Sequence, residues 1–211
     1  MIHLTLLQRA IREEQLHGWL FCNIRHRDVV ADRLLNIPEA AINSRQWFYY
    51  VPAAGEPVRI VHSVEGTLLD HLPGKRLVYY SRKQLIELLG ELEGGTIGVQ
   101  YSKELTGISY LDHGTALLLE EAGFTLRPSA SLIQKTIGIL RPEQITSHKK
   151  TAVQLYDIVE LMWTVIQTSA KNDKTVTEGE IRDRIMEEFS RRGLTTDHTP
   201  IVAAGANSSD P

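Results

Sequence analysis

The spacing of apolar positions in the first two thirds of the chain predicts short strands that alternate with helices. Strands are predicted where apolar and β-branched residues run together between turn residues, and helices where apolar residues recur at helical spacing. This alternation favours a mixed sheet with flanking helices, an α/β fold, whose strand order the sequence leaves open. The predicted strands span 19–22, 47–51, 58–62, 77–80, 96–100 and 124–127, and the predicted helices span 4–16, 28–35, 84–92 and 115–121.

Turn and cap residues mark the ends of several of these elements. The stretch 52–57, which contains Pro and Gly, joins two strands as a hairpin. Ser81 is placed to cap the helix that follows it, and Gly123 ends the last helix of this region. A further short element of secondary structure is expected at 132–133, after which the pattern of apolar positions changes.

The chain changes character near Arg141 and Pro142, which predicts a domain boundary with residues 1–140 on one side and 141–211 on the other. Pro142 suits the first turn of a helix, and no Pro or Gly interrupts 143–170. One apolar face is predicted along this long helix, formed by Ile145, Ala152, Leu155, Val159, Met162 and Ile166.

The last part of the sequence predicts a helix, a short strand and a polar loop. Thr177 and Glu180 form a Thr-x-x-Glu capping box that begins the helix, and Gly193 stands where a left-handed C-terminal residue belongs. Residues 200–204 predict a buried strand, and 205–211 predict a loop. Because a lone strand cannot satisfy its own backbone groups, we expect the second domain to be incomplete here.

Composition narrows the class of protein without indicating a function. Hydrophobic residues make up 42% and charged residues 23% of the 211 residues, which is typical of a globular protein. A formal net charge of −3 gives no electrostatic reason to expect nucleic acid or an anionic membrane as a partner. The sequence contains no apolar run long enough to span a bilayer, and its start is amphipathic and unlike a signal peptide. A cytoplasmic location is therefore expected.

Residues with catalytic or metal-binding chemistry are present, but they form no motif. The eight histidines are scattered, and the sequence contains no HExxH and no Cys/His pair at zinc-ligand spacing. The Asp-His pairs at 112–113 and 197–198 are better explained as turn or surface residues. Cys22 is the only cysteine, and its apolar surroundings favour a buried structural thiol over a nucleophile. We therefore assign no catalytic and no metal-binding residue in this sequence.

Several segments, taken in order along essentially the whole chain, resemble one known family. In the second region these segments are 176–178, 193–194, 200–202 and the Gly-x-Asn-Ser loop at 205–208. In the first region they are 45–57, 98–102 and 131–134. Together they are similar to the N-terminal portion of the creatinase/prolidase family, which includes Xaa-Pro dipeptidases and aminopeptidases with the pita-bread fold.

The resemblance implies a fold and an activity for a longer parent protein. The first domain would be the family's N-terminal α/β domain, and the second would be the incomplete start of a pita-bread α+β domain. Family enzymes hydrolyse the peptide bond before proline with two divalent cations (Mn, Co or Zn), which lower the pKa of a bridging water. The ligands, two Asp, one His and two Glu, would all lie after Pro211. We therefore expect no metal in this chain and no peptidase activity from it alone.

Three residues match the family's loop at the edge of the substrate pocket. Asn207, Ser208 and Pro211 would border the substrate cavity in a complete protein, with an ordinary polar turn as the alternative interpretation. Trp47 and Tyr49 fall in the hairpin of the N-terminal domain, which in dimeric relatives approaches a neighbouring subunit's active site. A place in the core is the simpler interpretation for both.

Three functions stay open at this point. The first is the N-terminal portion of a metal-dependent Xaa-Pro peptidase, in which this part supports a homodimer and admits only short proline-containing peptides. The second is a non-enzymatic peptide- or protein-binding module of the same fold, and the third is a creatinase-like C–N hydrolase. We expect the first, and the sequence does not separate dipeptidase from aminopeptidase activity.

Overall fold

The computed structural model describes residues 4–209, which fall into two compact units. The first unit ends at Ile139 and the second begins at Leu140. Each unit is built around its own buried apolar side chains. Between residues 4 and 209, no helix is both long and apolar enough to cross a membrane.

The first unit is a six-stranded mixed sheet with helices on both faces. Its strands are β1 (Gly18–Asn23), β2 (Trp47–Pro52), β3 (Val58–His62), β4 (Lys75–Tyr79), β5 (Gly95–Val99) and β6 (Phe124–Pro128). Its helices are α1 (Leu4–Glu13), α2 (Val29–Leu35), α3 (Arg82–Gly90), α4 (His113–Glu121) and α5 (Ala130–Thr136). The strand order is β4-β3-β2-β1-β5-β6, with β2 antiparallel to both neighbours and the other pairs parallel. The predicted α/β fold is confirmed.

Alternate side chains of β1 enter two separate cores. Trp19 and Phe21 pack with residues of α1, α2 and α5 on one face of the sheet. Leu20 packs with residues of α3 and α4 on the other face. Successive side chains of a strand point to opposite faces, so a central strand covered on both sides is apolar throughout. This double burial makes β1 the centre of the unit.

Most local features predicted for the first unit are confirmed, and one predicted element is longer in the structure than in the prediction. β2 and β3 pair antiparallel, with Tyr50 opposite Val58, as the hairpin at 52–57 requires. Ser81 Oγ accepts a hydrogen bond from Gln84 N at 3.3 Å and caps α3. The short piece expected at 132–133 lies inside the helix α5.

The second unit consists of two helices and an irregular tail. α6 runs from Pro142 to Lys171, and α7 runs from Glu178 to Arg191. Pro142 occupies the first turn of α6, as predicted, because its missing N–H has no intrahelical partner there. Gly193 follows α7 with φ of +66°, which confirms the predicted left-handed residue at the helix end.

The apolar face of α6 matches the predicted face only in part, because Met162 and Ile166 of the predicted stripe do lie in the packed cluster. Ile158, which lies outside the predicted stripe, is 2% exposed and packs against α7 with Met162. Leu155 and Val159, which belong to the predicted stripe, are 40% and 51% exposed. The shorter helix α7 covers only a narrow part of α6. Tertiary packing therefore selects the buried side, which helical spacing alone does not.

The predicted strand at 200–204 is wrong. Residues 201–204 have no regular secondary structure, and Ile201 is 76% exposed. A strand needs a neighbouring strand to satisfy its backbone groups, and the described part of the second unit contains none. The chain instead continues into a 3-10 helix, Gly205–Ser209.

Candidate functional site

The polar loop at the end of the second unit is the candidate site that the sequence suggested. Asn207 and Ser208 lie in the 3-10 helix Gly205–Ser209, and both are exposed to solvent. Pro211, the third predicted residue, lies outside the described residues. The structural account of this loop therefore rests on Asn207, Ser208 and the residues that hold them.

Glu178, at the start of α7, anchors this loop. Its Oε1 accepts a hydrogen bond from the Ala204 backbone N–H at 2.6 Å. Its Oε2 accepts a hydrogen bond from Asn207 Nδ2 at 2.9 Å. The first contact fixes the backbone where the loop begins, and the second fixes the Asn207 side chain. A single carboxylate thus ties the loop to α7 through charge-assisted hydrogen bonds.

The capping box of α7 holds the residue next to Glu178. Thr177 Oγ1 accepts a hydrogen bond from Glu180 N at 3.2 Å, and Glu180 Oε2 accepts one from Thr177 N at 2.8 Å, as predicted. Hydrogen bonds from the backbone and side chain of Thr177 lower the pKa of Glu180, which keeps this carboxylate ionised. The box fixes the first turn of α7 and so the backbone that carries Glu178.

The remaining hydrogen bonds of the loop are local. Ser208 Oγ donates to the Gly205 carbonyl oxygen at 2.7 Å, and Asn207 N donates to the Ala204 carbonyl oxygen at 3.2 Å. Sequence reasoning identified Asn207 but missed Glu178. Glu178 lies in the segment 176–178 that resembles the family, but that likeness gave it no role. Its other local signal is its place directly after a Thr cap, where helix electrostatics favour an acid in any helix.

The described residues do not fit a centre for two cations. Between residues 4 and 209, no group of three or more His, Cys, Asp or Glu side chains could hold a metal ion. Asp112, from one of the Asp-His pairs, caps α4 by accepting a hydrogen bond from Thr115 N at 3.0 Å. His71 Nε2 lies 2.9 Å from the Leu35 carbonyl oxygen. These side chains have structural partners, and no metal-dependent step is assigned to them.

Three side chains considered as functional candidates have structural roles instead. Burial raises the pKa of the Cys22 thiol, and the nearby carboxylates of Asp28 and Asp112 raise it further. Because the thiolate is the reactive form, these surroundings keep the sulfur unreactive. Trp47 and Tyr49 are 1% and 0% exposed and belong to the core.

Comparison with solved structures finds matches over most of the chain. The dipeptidase PepE from Mycobacterium ulcerans is 13% identical, with a TM-score of 0.57 over 89% of this chain and 48% of its own. The prolidase from Thermococcus sibiricus is 14% identical, with a TM-score of 0.55 over 90% of this chain and 49% of its own. The Xaa-Pro dipeptidase from Bacillus anthracis is 14% identical, with a TM-score of 0.54 over 90% of this chain and 48% of its own.

The chain has the fold of one half of these dipeptidases. It spans about half the length of each of these structures, which agrees with the expected N-terminal portion. No protein-family model and no curated relative matches the sequence. At these sequence identities the likeness establishes the fold, and the resemblance stated from the sequence is confirmed at that level.

Proposed function

We propose that this chain is the N-terminal portion of a metal-dependent Xaa-Pro peptidase, which hydrolyses the peptide bond before proline. The observation that carries the proposal is the extent of the fold match, 90% of this chain against 48% of the Bacillus anthracis Xaa-Pro dipeptidase. The first unit holds only residues 1–139 of the 211. A match of this extent therefore includes part of the second unit as well.

Such a protein would be cytoplasmic. Its first unit would support a homodimer and limit the length of the substrate. Only short proline-containing peptides would then reach the metal centre. The support for this role is that the first unit has its own two-sided core, built on β1, and so can act as a separate accessory domain.

The loop with Asn207 and Ser208 would form the edge of the substrate pocket. The support for this role is the anchor from Glu178, since a binding loop works best when its geometry is held before substrate arrives. Two divalent cations (Mn, Co or Zn) would be bound by parts of the parent protein outside these 211 residues. When bound, they would supply an activated water and stabilise the developing oxyanion.

The gene sequence downstream of the Pro211 codon tests the proposal. We expect an open reading frame that continues and encodes two Asp, one His and two Glu in that order. A continuation that lacks this series would remove the peptidase assignment. A stop codon directly after Pro211, together with a stable folded product, would favour a non-enzymatic protein.

Two other functions share this fold and have their own tests. A peptide- or protein-binding module is favoured by exposed apolar side chains on α6, since Tyr156 and Trp163 are 73% and 59% exposed. A creatinase-like C–N hydrolase would act on creatine and not on Xaa-Pro dipeptides. Assays of the full-length protein on both substrates separate the peptidase from the creatinase-like enzyme, and inactivity on both supports the binding module.

A further inference from the structure

The carboxyl ends of β1 and β5 form a switch point in the sheet of the first unit. The two strands are adjacent and parallel, so their carboxyl ends lie at the same edge. After β1 the chain enters α2 on one face, and after β5 it enters α4 on the other face. In open α/β sheets, ligands bind in the crevice where the chain leaves neighbouring strands in opposite directions.

Two neighbouring cavities lie at this edge. The larger, which we name the switch-point cleft, has a volume of about 310 Å³. It is lined by Ile24 and Arg27 from the segment after β1, by Thr115 and Leu118 of α4, and by Arg82 of α3. Its volume is within the range of small-molecule sites. The smaller cavity, about 10 Å³, shares Ile24 and Arg27 with the cleft and has room for about one water molecule.

Arg27 and Arg82 bring positive charge to the switch-point cleft. In the part of the chain that the structure describes, neither guanidinium lies within salt-bridge distance of a carboxylate. Arg59 and Arg76, by contrast, both pair with Asp70. Neither guanidinium is tied up in a salt bridge, although the charge of Arg27 is close enough to Asp112 to lower the pKa of that carboxyl.

The acidic side chain that lines the cleft, Asp112, is already engaged. Its carboxylate accepts hydrogen bonds from Thr115 N at 3.0 Å and from Thr115 Oγ1 at 2.8 Å. Burial opposes ionisation of this carboxyl, but the Thr115 hydrogen bonds and the nearby Arg27 hold its pKa below the ordinary value. Its negative charge thus has partners of its own, and the amino ends of α3 and α4 add positive potential at the same edge.

We propose that the switch-point cleft binds a small organic anion. Its carboxylate or phosphate group pairs with Arg27 and Arg82, and its apolar part lies against Ile24 and Leu118. The planar donor fork of arginine suits pairs of anionic oxygens. The cleft lies wholly within the first unit, so this site does not depend on the proposed peptidase activity.

Titration of the ¹⁵N-labelled 211-residue chain with inorganic phosphate, and separately with succinate, tests the proposal. We expect saturable NMR shifts of the Gly114 and Thr115 amides with at least one of the two anions. Arg27→Gln and Arg82→Gln should each weaken that binding about tenfold, because each removes charge-assisted hydrogen bonds. Arg27→Lys keeps the positive charge and should retain part of the affinity. Retained affinity in this variant would show that a substitution at Arg27 leaves the site folded.

Arg127→Gln is the matched control, because it removes the same charge from an exposed side chain on β6. It should leave the affinity unchanged. Saturation with phosphate alone assigns a phosphate ligand, and saturation with succinate alone assigns a carboxylate ligand. Absence of saturable shifts with both anions would overturn the proposal. So would equal weakening by Arg127→Gln, since the effect would then be general charge screening.

Discussion

At the scale of single residues, Asp28 is a buried acid whose charge state should affect stability. It is 3% exposed and caps α2 by accepting a hydrogen bond from Ala31 N at 2.8 Å. Burial raises its pKa to about 6, with a smaller contribution from the charge of Asp32, while backbone hydrogen bonds from Ala31 and Val30 oppose the shift. Because the folded pKa lies above the ordinary value of 3.8, ionisation of Asp28 costs folding free energy.

The raised pKa of Asp28 predicts how the stability of the folded state changes with pH. The contribution of the neutral carboxyl to stability is fully present below about pH 4 and is lost as the pH rises through about 6. Asp28→Asn keeps an acceptor for Ala31 N and removes the charge. We expect the variant to match the parent at pH 4 and to gain roughly 2 kcal/mol at pH 7.5.

Urea unfolding at both pH values measures this difference. Asp197→Asn, which changes an exposed carboxylate, is the control and should leave stability unchanged at both. A loss of stability in Asp28→Asn at pH 7.5 would mean that the ionised cap stabilises α2 more than burial opposes it.

Glu178 carries the second prediction at this scale. Glu178→Ala removes the acceptor for Ala204 N and for Asn207 Nδ2. We expect hydrogen exchange of the Ala204 amide to become about tenfold faster, because a charge-assisted hydrogen bond is lost. Hydrogen exchange followed by NMR measures it, with Glu187→Ala, an exposed change on the same helix, as the control. Unchanged exchange at Ala204 would show that Glu178 does not hold the loop.

At the scale of elements, the pairing of α6 with α7 depends on one side of α6. Ile158 is 2% exposed and lies in the cluster with Met162 and Ile181, whereas Val159, the next residue, is 51% exposed. Adjacent residues of a helix face different directions. Ile158 therefore lies in the packed interface with α7, and Val159 lies on the exposed side of the same helix.

Truncating each of these two side chains tests the packing. Ile158→Ala should destabilise the second unit by about 2 to 4 kcal/mol, because it removes buried methyl groups and leaves a cavity. Val159→Ala should change stability by less than about 0.5 kcal/mol, since its side chain is half exposed. Protection of the α7 amides in hydrogen exchange measures both. Equal losses in the two variants would contradict the packing described.

At the scale of the whole molecule, the described residues form an α/β unit, a pair of helices and a polar loop. These residues do not fit a two-cation centre. We therefore expect the purified 211-residue chain, supplied with Mn²⁺, to leave a Xaa-Pro dipeptide intact, because metal activation of water needs ligands that hold the cations. Release of free proline in a chromatographic assay, compared with a reaction that lacks the protein, measures this. Hydrolysis by the chain alone would contradict the expectation.

Local signals explain what could be predicted of the fold. The cap at Ser81, the capping box at Thr177 and the left-handed Gly193 each depend on residues within one turn, so their patterns are visible in the sequence. The strand at 200–204 failed because strand formation needs a partner, and an apolar run carries no information about whether one is present.

In the candidate sites too, features set by nearby residues could be predicted, and contacts between distant residues could not. Asn207 was recognised from its motif, but its partner Glu178 lies 29 residues away in the sequence. The switch-point cleft joins segments after β1, β4 and β5, and no spacing along the chain indicates that Arg27 and Arg82 line one cleft. Sequence reasoning therefore named residues of the loop but not their anchor, and of the cleft it named only Asp112, as a turn or surface residue.

The sequence by itself determined the class of fold, most elements of the first unit and the ends of α6 and α7, because these depend on short-range periodicity and capping. Only the tertiary structure decided the strand order, the buried side of α6, the Glu178 anchor and the switch-point cleft. These features depend on contacts between residues far apart in the chain. Their energies come from packing and charge pairing across elements, which local patterns do not record.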